Sequence, residues 1–455
     1  MPQGVSDSNH GLPEEQRQQG QSAFIRSAVT LSIFGNSTQG TIGQLFVLSM
    51  GAAPFHIAVL SALTRLAPLA QLIGLKVVPR IGKGRLLRAG TRLMAIPLLC
   101  LIALSASGWS GAAAISAGIA AYAALSFVNS GANTAWWPLL QDLTAGEPKG
   151  VFFARMRTRL RAVELVVPML VGAYLGQSTT PGRFLLPFAV GLATAMAAAS
   201  LLRRVPERQI ATRQTPLIVR LRLAARVPSV RAYLALMAQY SFIAALFSPF
   251  MVLMLRFHGL PDGGIVWMDA VVAMGNVAGV NMWARIVDRH GGRPAISITV
   301  IGMSLLGFGW LAMPSGLAAL AAWGAIYYVL WGFLQGGFLM GRTPVMLEAI
   351  PVRYQADGFA LINFAVAAGG AAGSFAGGAA FEWLTRNTVS LWGLDGQAIY
   401  MAAAQLLLLA LWPAKSRLAD HDKQTSARHL VVTAWRKTLH RLRPGGGRTY
   451  PSSSG

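Results

Sequence analysis

Apolar runs of about twenty residues recur along almost the whole chain, and nothing else in the sequence constrains it as strongly. As an α-helix rising about 1.5 Å per residue, such a run crosses the roughly 30 Å hydrocarbon layer of a bilayer. About twelve can be placed, near 24–48, 56–78, 86–106, 112–140, 158–177, 184–202, 231–255, 264–287, 294–313, 316–341, 358–384 and 396–413. Charged residues make up only 12% of the 455 residues, whereas a soluble domain has about 25%. The expected fold is all-α and integral to the membrane.

A net charge of +23 invites a nucleic-acid reading, so the distribution of charge matters more than its sum. All but five of the 39 Lys and Arg fall on one side of the predicted spans. Arg183, Arg256 and Arg386 lie on the other side, and Arg65 and Lys76 lie inside the second run. The positive-inside rule then predicts a multi-pass protein of the cytoplasmic membrane with both termini in the cytoplasm. The charge is topological, and no nucleic-acid partner is expected.

The longest internal hydrophilic stretch, 203–230, is rich in arginine and broken by Pro206, Pro216 and Pro228. It reads as a cytoplasmic linker between two bundles of six spans, 24–202 and 231–414. Residues 1–23 form a polar leader without the apolar core of a cleaved signal peptide. Residues 415–455 form a basic tail. Its Leu430, Trp435, Leu439 and Leu442, interleaved with Arg436, Lys437, Arg441 and Arg443, fit either a helix lying on anionic lipid or a solvated tail. The single cysteine, Cys100, falls inside an apolar run and allows no intrachain disulfide.

Two short charged turns occupy matching places in the two halves. One is Asp288-Arg289-His290-Gly291-Gly292-Arg293, between the eighth and ninth runs. The other, Pro79-Arg80-Ile81-Gly82-Lys83-Gly84-Arg85, lies between the second and third. This pair resembles the signature turn of the major facilitator superfamily, with its acidic residue, basic residue and glycine, although Pro79 stands where the first copy would carry its acid. The resemblance implies pseudo-symmetric six-helix bundles around a central cavity, rocking between inward-open and outward-open states. It also implies a conformational latch made by Arg80, Gly82, Lys83, Asp288, Arg289, Gly291 and Arg293. Two further departures stand out. No Lys or Arg occurs in 112–140, and Val167-Pro168-Met169-Leu170-Val171-Gly172 keeps only part of the glycine-rich run found in proton-driven exporters of that family.

An ionisable group inside hydrocarbon costs about 2.5–3.5 kcal/mol on insertion scales, and so marks candidate sites. Arg65, near the predicted midplane, can bind an anionic substrate, pair with a carboxylate, or be satisfied by carbonyls and Gln71. Glu164 and Asp269, nearer the ends of their spans, are candidates for proton or ion coupling. Asn36, Gln39, Asn133, Gln239, Asn276, Gln335 and Asn363 are candidate cavity-lining hydrogen-bonders, with helix-to-helix adhesion as their competing role.

Enzyme signatures are missing. The chain has no phosphate-cradling Gly-x-x-x-x-Gly-Lys, no Gly-x-Ser-x-Gly elbow, and seven His in no metal-ligating spacing, so neither cofactor nor metal is expected. The expected function is movement of a small solute by alternating access. A non-transporting assembly factor or sensor on the same fold, and a lipid translocator, are the alternatives.

Overall fold

The structure is a computed structural model that describes residues 14–144, 149–177, 180–207, 217–351, 354–387, 390–391 and 394–411. In chain order its helical segments are α1 (Glu14–Thr38), α2 (Thr41–Ser49), α3 (Pro54–Ile81), α4 (Lys83–Ser107), α5 (Ala112–Leu143), α6 (Lys149–Leu175) and α7 (Pro181–Arg204). After the linker helix α8 (Leu217–Arg226) come α9 (Pro228–Phe257), α10 (Asp262–His290), α11 (Gly292–Ala312), α12 (Leu317–Ala349), α13 (Gln355–Asn387) and α14 (Gly396–Ala410). A two-residue strand pair, Ser390–Leu391 with Leu394–Asp395, decorates the last connection.

Among the described residues, nine helical segments are long and apolar enough to cross a membrane. Three more occupy the remaining expected positions. The first expected span is split into α1 and α2 at Gly40 (φ 64°); α6 carries Arg155, Arg157, Arg159 and Arg161 in its first half; and α14 is short. Two starts differ most from expectation: α6 begins at Lys149 rather than near 158, and the first helix begins at Glu14, inside the stretch read as a polar leader. Gln21 donates to the Leu143 carbonyl at 2.9 Å and Phe24 is fully buried against Trp136, so the early part of α1 is anchored to the end of α5. The tail from 412, residues 208–216 of the linker and residues 145–148 after α5 lie outside the described residues.

Within the first half α1 packs on α6 and α7, and α5 packs on α3 and α4; within the second, α9 packs on α13 and α12 on α10 and α11. The glycine-alanine run of α13 explains how closely these backbones approach. Gly369, Gly373 and Gly377, four residues apart on one stripe, lie against the α9 backbone at Ala238, Phe242 and Leu246. The adjacent stripe of Gly370, Ser374 and Gly378 faces the other half, against Arg65, Ser61 and Ala58 of α3. The halves therefore meet through α3 with α13 and through α6 with α10. The second span of each half pairs with the fifth of the other, as a two-fold relation requires.

Each half has its own aromatic core. Phe46, Tyr122, Phe184 and Phe188 cluster in the first. In the second, Trp323 stacks on Tyr327, Trp310 packs at an angle against both, and Gln405 donates to the Tyr327 hydroxyl at 2.6 Å. Buried hydroxyls and amides of this kind cost little only when paired.

Candidate functional site

The break in the first span opens the site. Gly40 leaves the helical region, α1 ends at Thr38, and α2 restarts at Thr41. Irregular backbone at membrane depth is tolerated where it lines a cavity or is buried in protein. Here Tyr122 donates its hydroxyl to the freed Thr38 carbonyl at 2.7 Å, while Gln39 and Gly40 line a cavity of about 310 Å³. Its other walls come from α2, α3 and α5 and include Gln44, Ser61, Thr64, Ser126, Asn129, Ser130 and Asn133. Two buried polar atoms on this wall, Gln39 Nε2 and Gln44 Oε1, have no hydrogen-bond partner.

Arg65 sits beside this cavity, about 16 Å along α3 from Pro54 at 1.5 Å per residue. Proline distorts both of the helices that meet here. Pro68 tightens α3 into a 3-10 turn at Ala67–Leu69, and Pro249 interrupts α9 just after Ser248. The guanidinium donates to Ser61 Oγ at 3.3 Å on its own helix and to Ser248 Oγ at 2.7 Å in the other half. It forms no ion pair with a described carboxylate. Gln71, one candidate partner, is engaged elsewhere: it donates to Ser130 at 3.5 Å and accepts from Asn363 at 3.0 Å.

The two halves are held together at the end away from the basic turns. Gly263 N donates to the Gly176 carbonyl at 3.1 Å, and Trp267 Nε1 donates to the Met169 carbonyl at 2.9 Å. A side chain at Gly172 would run into Trp267 and the Gly263 carbonyl, so glycine is required for this approach of α6 and α10. On the other seam Phe55 N donates to Glu382 Oε2 at 3.2 Å, and Gly378 lies on Ala58. Deeper in, Thr41 donates to Asp269 Oδ1 at 3.0 Å, joining α2 to α10.

At the basic end the two signature turns repeat one backbone shape: Gly82 has φ 89°, ψ 159° and Gly291 has φ 81°, ψ 174°. Both values lie where a side chain is strained, which accounts for the glycines. The acid missing at Pro79 is supplied from elsewhere in the chain. Asp142 Oδ2 holds Lys83 Nζ at 2.6 Å in a largely buried pair, and Glu207 Oε2 accepts from Gly84 N at 2.6 Å. In the second copy Asp288 and Arg289 are exposed, and Asp288 has no ion pair among the described residues. Arg80 is exposed, whereas Arg293 is half-buried.

The remaining sequence candidates separate by place. Gln39 and Asn133 line the cavity, with Asn133 donating to Asn129 Oδ1 at 3.2 Å. Asn363 bridges the halves through Gln71. Asn36 donates to the Ser32 carbonyl one turn back at 2.8 Å, and Gln239 reaches the Ala410 carbonyl of α14 at 3.1 Å, an adhesive contact. Asn276 packs against Gly336 of α12, and Gln335 is half-buried on α12. Glu164 accepts from Arg161 at 2.7 Å on its own helix, with both side chains over a third exposed. Sequence reasoning missed Ser248, Thr41, Asp142 and Glu207. A serine or threonine carries no signal in an apolar run, and both carboxylates sit beside spans in chain order and act across space.

A sequence profile of the Major Facilitator Superfamily matches residues 27–374. No match was found among curated proteins. Solved structures with the same fold include a mutant form of the nucleoside transporter NupG, with TM-score 0.68 and 11% identity over 88% of this chain and 100% of that one. A mutant form of the peptide transporter POT has TM-score 0.61 and 15% identity over 89% and 99%. A D-xylose-proton symporter has TM-score 0.59 and 16% identity over 89% and 98%. At these identities the likeness is one of fold. With the profile spanning most of both helical bundles, the chain belongs to the Major Facilitator Superfamily.

Proposed function

We propose that this protein is a secondary transporter that moves a small hydrophilic solute across the cytoplasmic membrane by alternating access, with both termini in the cytoplasm. One observation carries the reading. The halves are clasped by backbone contacts at the end opposite the basic turns, and a cavity lined by amide and hydroxyl side chains lies in the first half. In this proposal the described state is open towards the cytoplasm, and the exposed Asp288 and Arg289 are latch groups waiting for the other state.

A switch needs contacts that exist in one state only, since an element biases an equilibrium by its differential interactions alone. Thr41–Asp269, Phe55–Glu382 and Trp267–Met169 are contacts of that kind, because each joins one half to the other. Asp269 is the better placed of the two coupling candidates, because it lies on the seam while Glu164 is tied to a neighbour on its own helix. Asp142 and Glu207 on the first turn weigh against a non-transporting role, since the turn is not short of acidic partners. The test is flux in vesicles containing the purified protein, with nucleosides, pentoses, short peptides and organic anions as candidate solutes. Saturable uptake of one class supports the proposal; binding without net movement of any class supports a sensor.

A further inference from the structure

Arg65 is a cation at mid-depth whose described partners are both neutral hydroxyls, Ser61 and Ser248. Two serines satisfy hydrogen bonds and leave the positive charge uncompensated, and a guanidinium is planar and rigid enough to take a carboxylate or phosphate through two parallel bonds. A second guanidinium lies nearer the basic end of the opposite half. Arg342 of α12 is half-buried and has no ion pair among the described residues. Phe338, one turn before Arg342 on the same face of α12, stacks on Tyr240 of α9 with ring centroids 4.0 Å apart.

Resting on the transport reading above, we propose that the substrate class is anionic, a small carboxylate or phosphate. Arg65 binds its charged group at depth, and Arg342 draws it in from the basic end. Because Arg65 sits on α3 and bonds Ser248 across the seam, an arriving anion competes for the guanidinium with a contact between the halves. Binding is thereby linked to the relation of the two bundles. A neutral solute would have no such competition to win.

The test uses the full-length protein in lipid-free detergent and then in vesicles. Inorganic phosphate and succinate serve as soluble probes, phosphatidylglycerol as the headgroup probe, and xylose and uridine as neutral controls. Phosphate or succinate is expected to raise the melting temperature and the controls to leave it unchanged. Stabilisation by phosphatidylglycerol alone would assign the same chemistry to a lipid headgroup. Arg65→Gln is expected to weaken anion binding at least tenfold. Arg342→Gln is expected to weaken it several-fold with a shallower dependence on salt. Arg65→Lys, which keeps the charge and guards against misfolding, should retain part of the affinity. Stabilisation by xylose or uridine but by no anion, no stabilisation by any anion, or unchanged anion affinity in a folded Arg65→Gln protein would each overturn the proposal. Anion binding without flux would leave the anion site at Arg65 standing and remove the transport reading, whereas flux of a neutral solute alone would keep the transport reading and overturn this inference.

Discussion

Thr41 and Asp269 meet across the two halves, the Thr41 hydroxyl donating to Asp269 Oδ1 at 3.0 Å. Thr41 is the first residue of α2, so the carboxylate also faces the positive end of a helix that exists only because the first span breaks at Gly40. A hydrogen bond to a charged group contributes about 1.5–3 kcal/mol. Protonating Asp269 would weaken this contact and loosen one half from the other. Asp269→Asn is therefore expected to abolish accumulation driven by a proton gradient while leaving solute exchange in place. Counterflow and gradient-driven uptake, measured side by side in vesicles, separate the two.

The glycine seam between α6 and α10 sets up a second expectation. Leucine at Gly172 would have to displace Trp267 and the Gly263 carbonyl, and overpacking of this kind costs about 1–3 kcal/mol. Gly172→Leu should favour separation at this end. The measurement is the distance between spin labels on cysteines placed at the exposed Met169 of α6 and Met274 of α10 in a Cys100→Ser background, which is expected to lengthen relative to the Gly172 parent.

Lys83 and Asp142 test the first signature turn. Their side chains are 9% and 12% exposed and 2.6 Å apart. Removing one member of a buried pair costs about 3–5 kcal/mol, while replacing both with apolar residues can be nearly neutral. Lys83→Met alone should lower the melting temperature by several degrees, and the Lys83→Met/Asp142→Leu pair should recover much of the loss. No recovery would mean that the two residues act independently.

Asp288 gives the opposite pattern. It is exposed and has no ion pair among the described residues, so Asp288→Asn should change thermal stability little in the described state. If its partner forms in the other state, transport should slow about tenfold, which corresponds to about 1.4 kcal/mol of lost bias. Unchanged flux would remove the latch role.

The fold was readable because a bilayer demands long apolar helices. Both signature turns were readable because positive φ at Gly82 and Gly291 selects glycine. The site was readable only where a residue was conspicuous in hydrocarbon. Gln39 and Asn133 stand out in apolar runs and do line the cavity, and Arg65 stands out and bonds Ser248 across the seam, whereas Gln239 stands out equally and holds α14. Polarity alone does not say which face of a helix looks inward. The partners of the conspicuous groups were hidden for another reason. Ser248 is 183 residues from Arg65, and Asp142 is 59 residues from Lys83, and only folding brings each pair together.

The claim that the halves alternate is tested most directly by bridging the clasped end. Cysteines at Phe55 and Glu382, where backbone and carboxylate now meet at 3.2 Å, can be joined with a short reducible thiol crosslinker in a Cys100→Ser background. Flux should be lost on crosslinking and return on reduction. Full flux through quantitatively crosslinked protein would contradict the account.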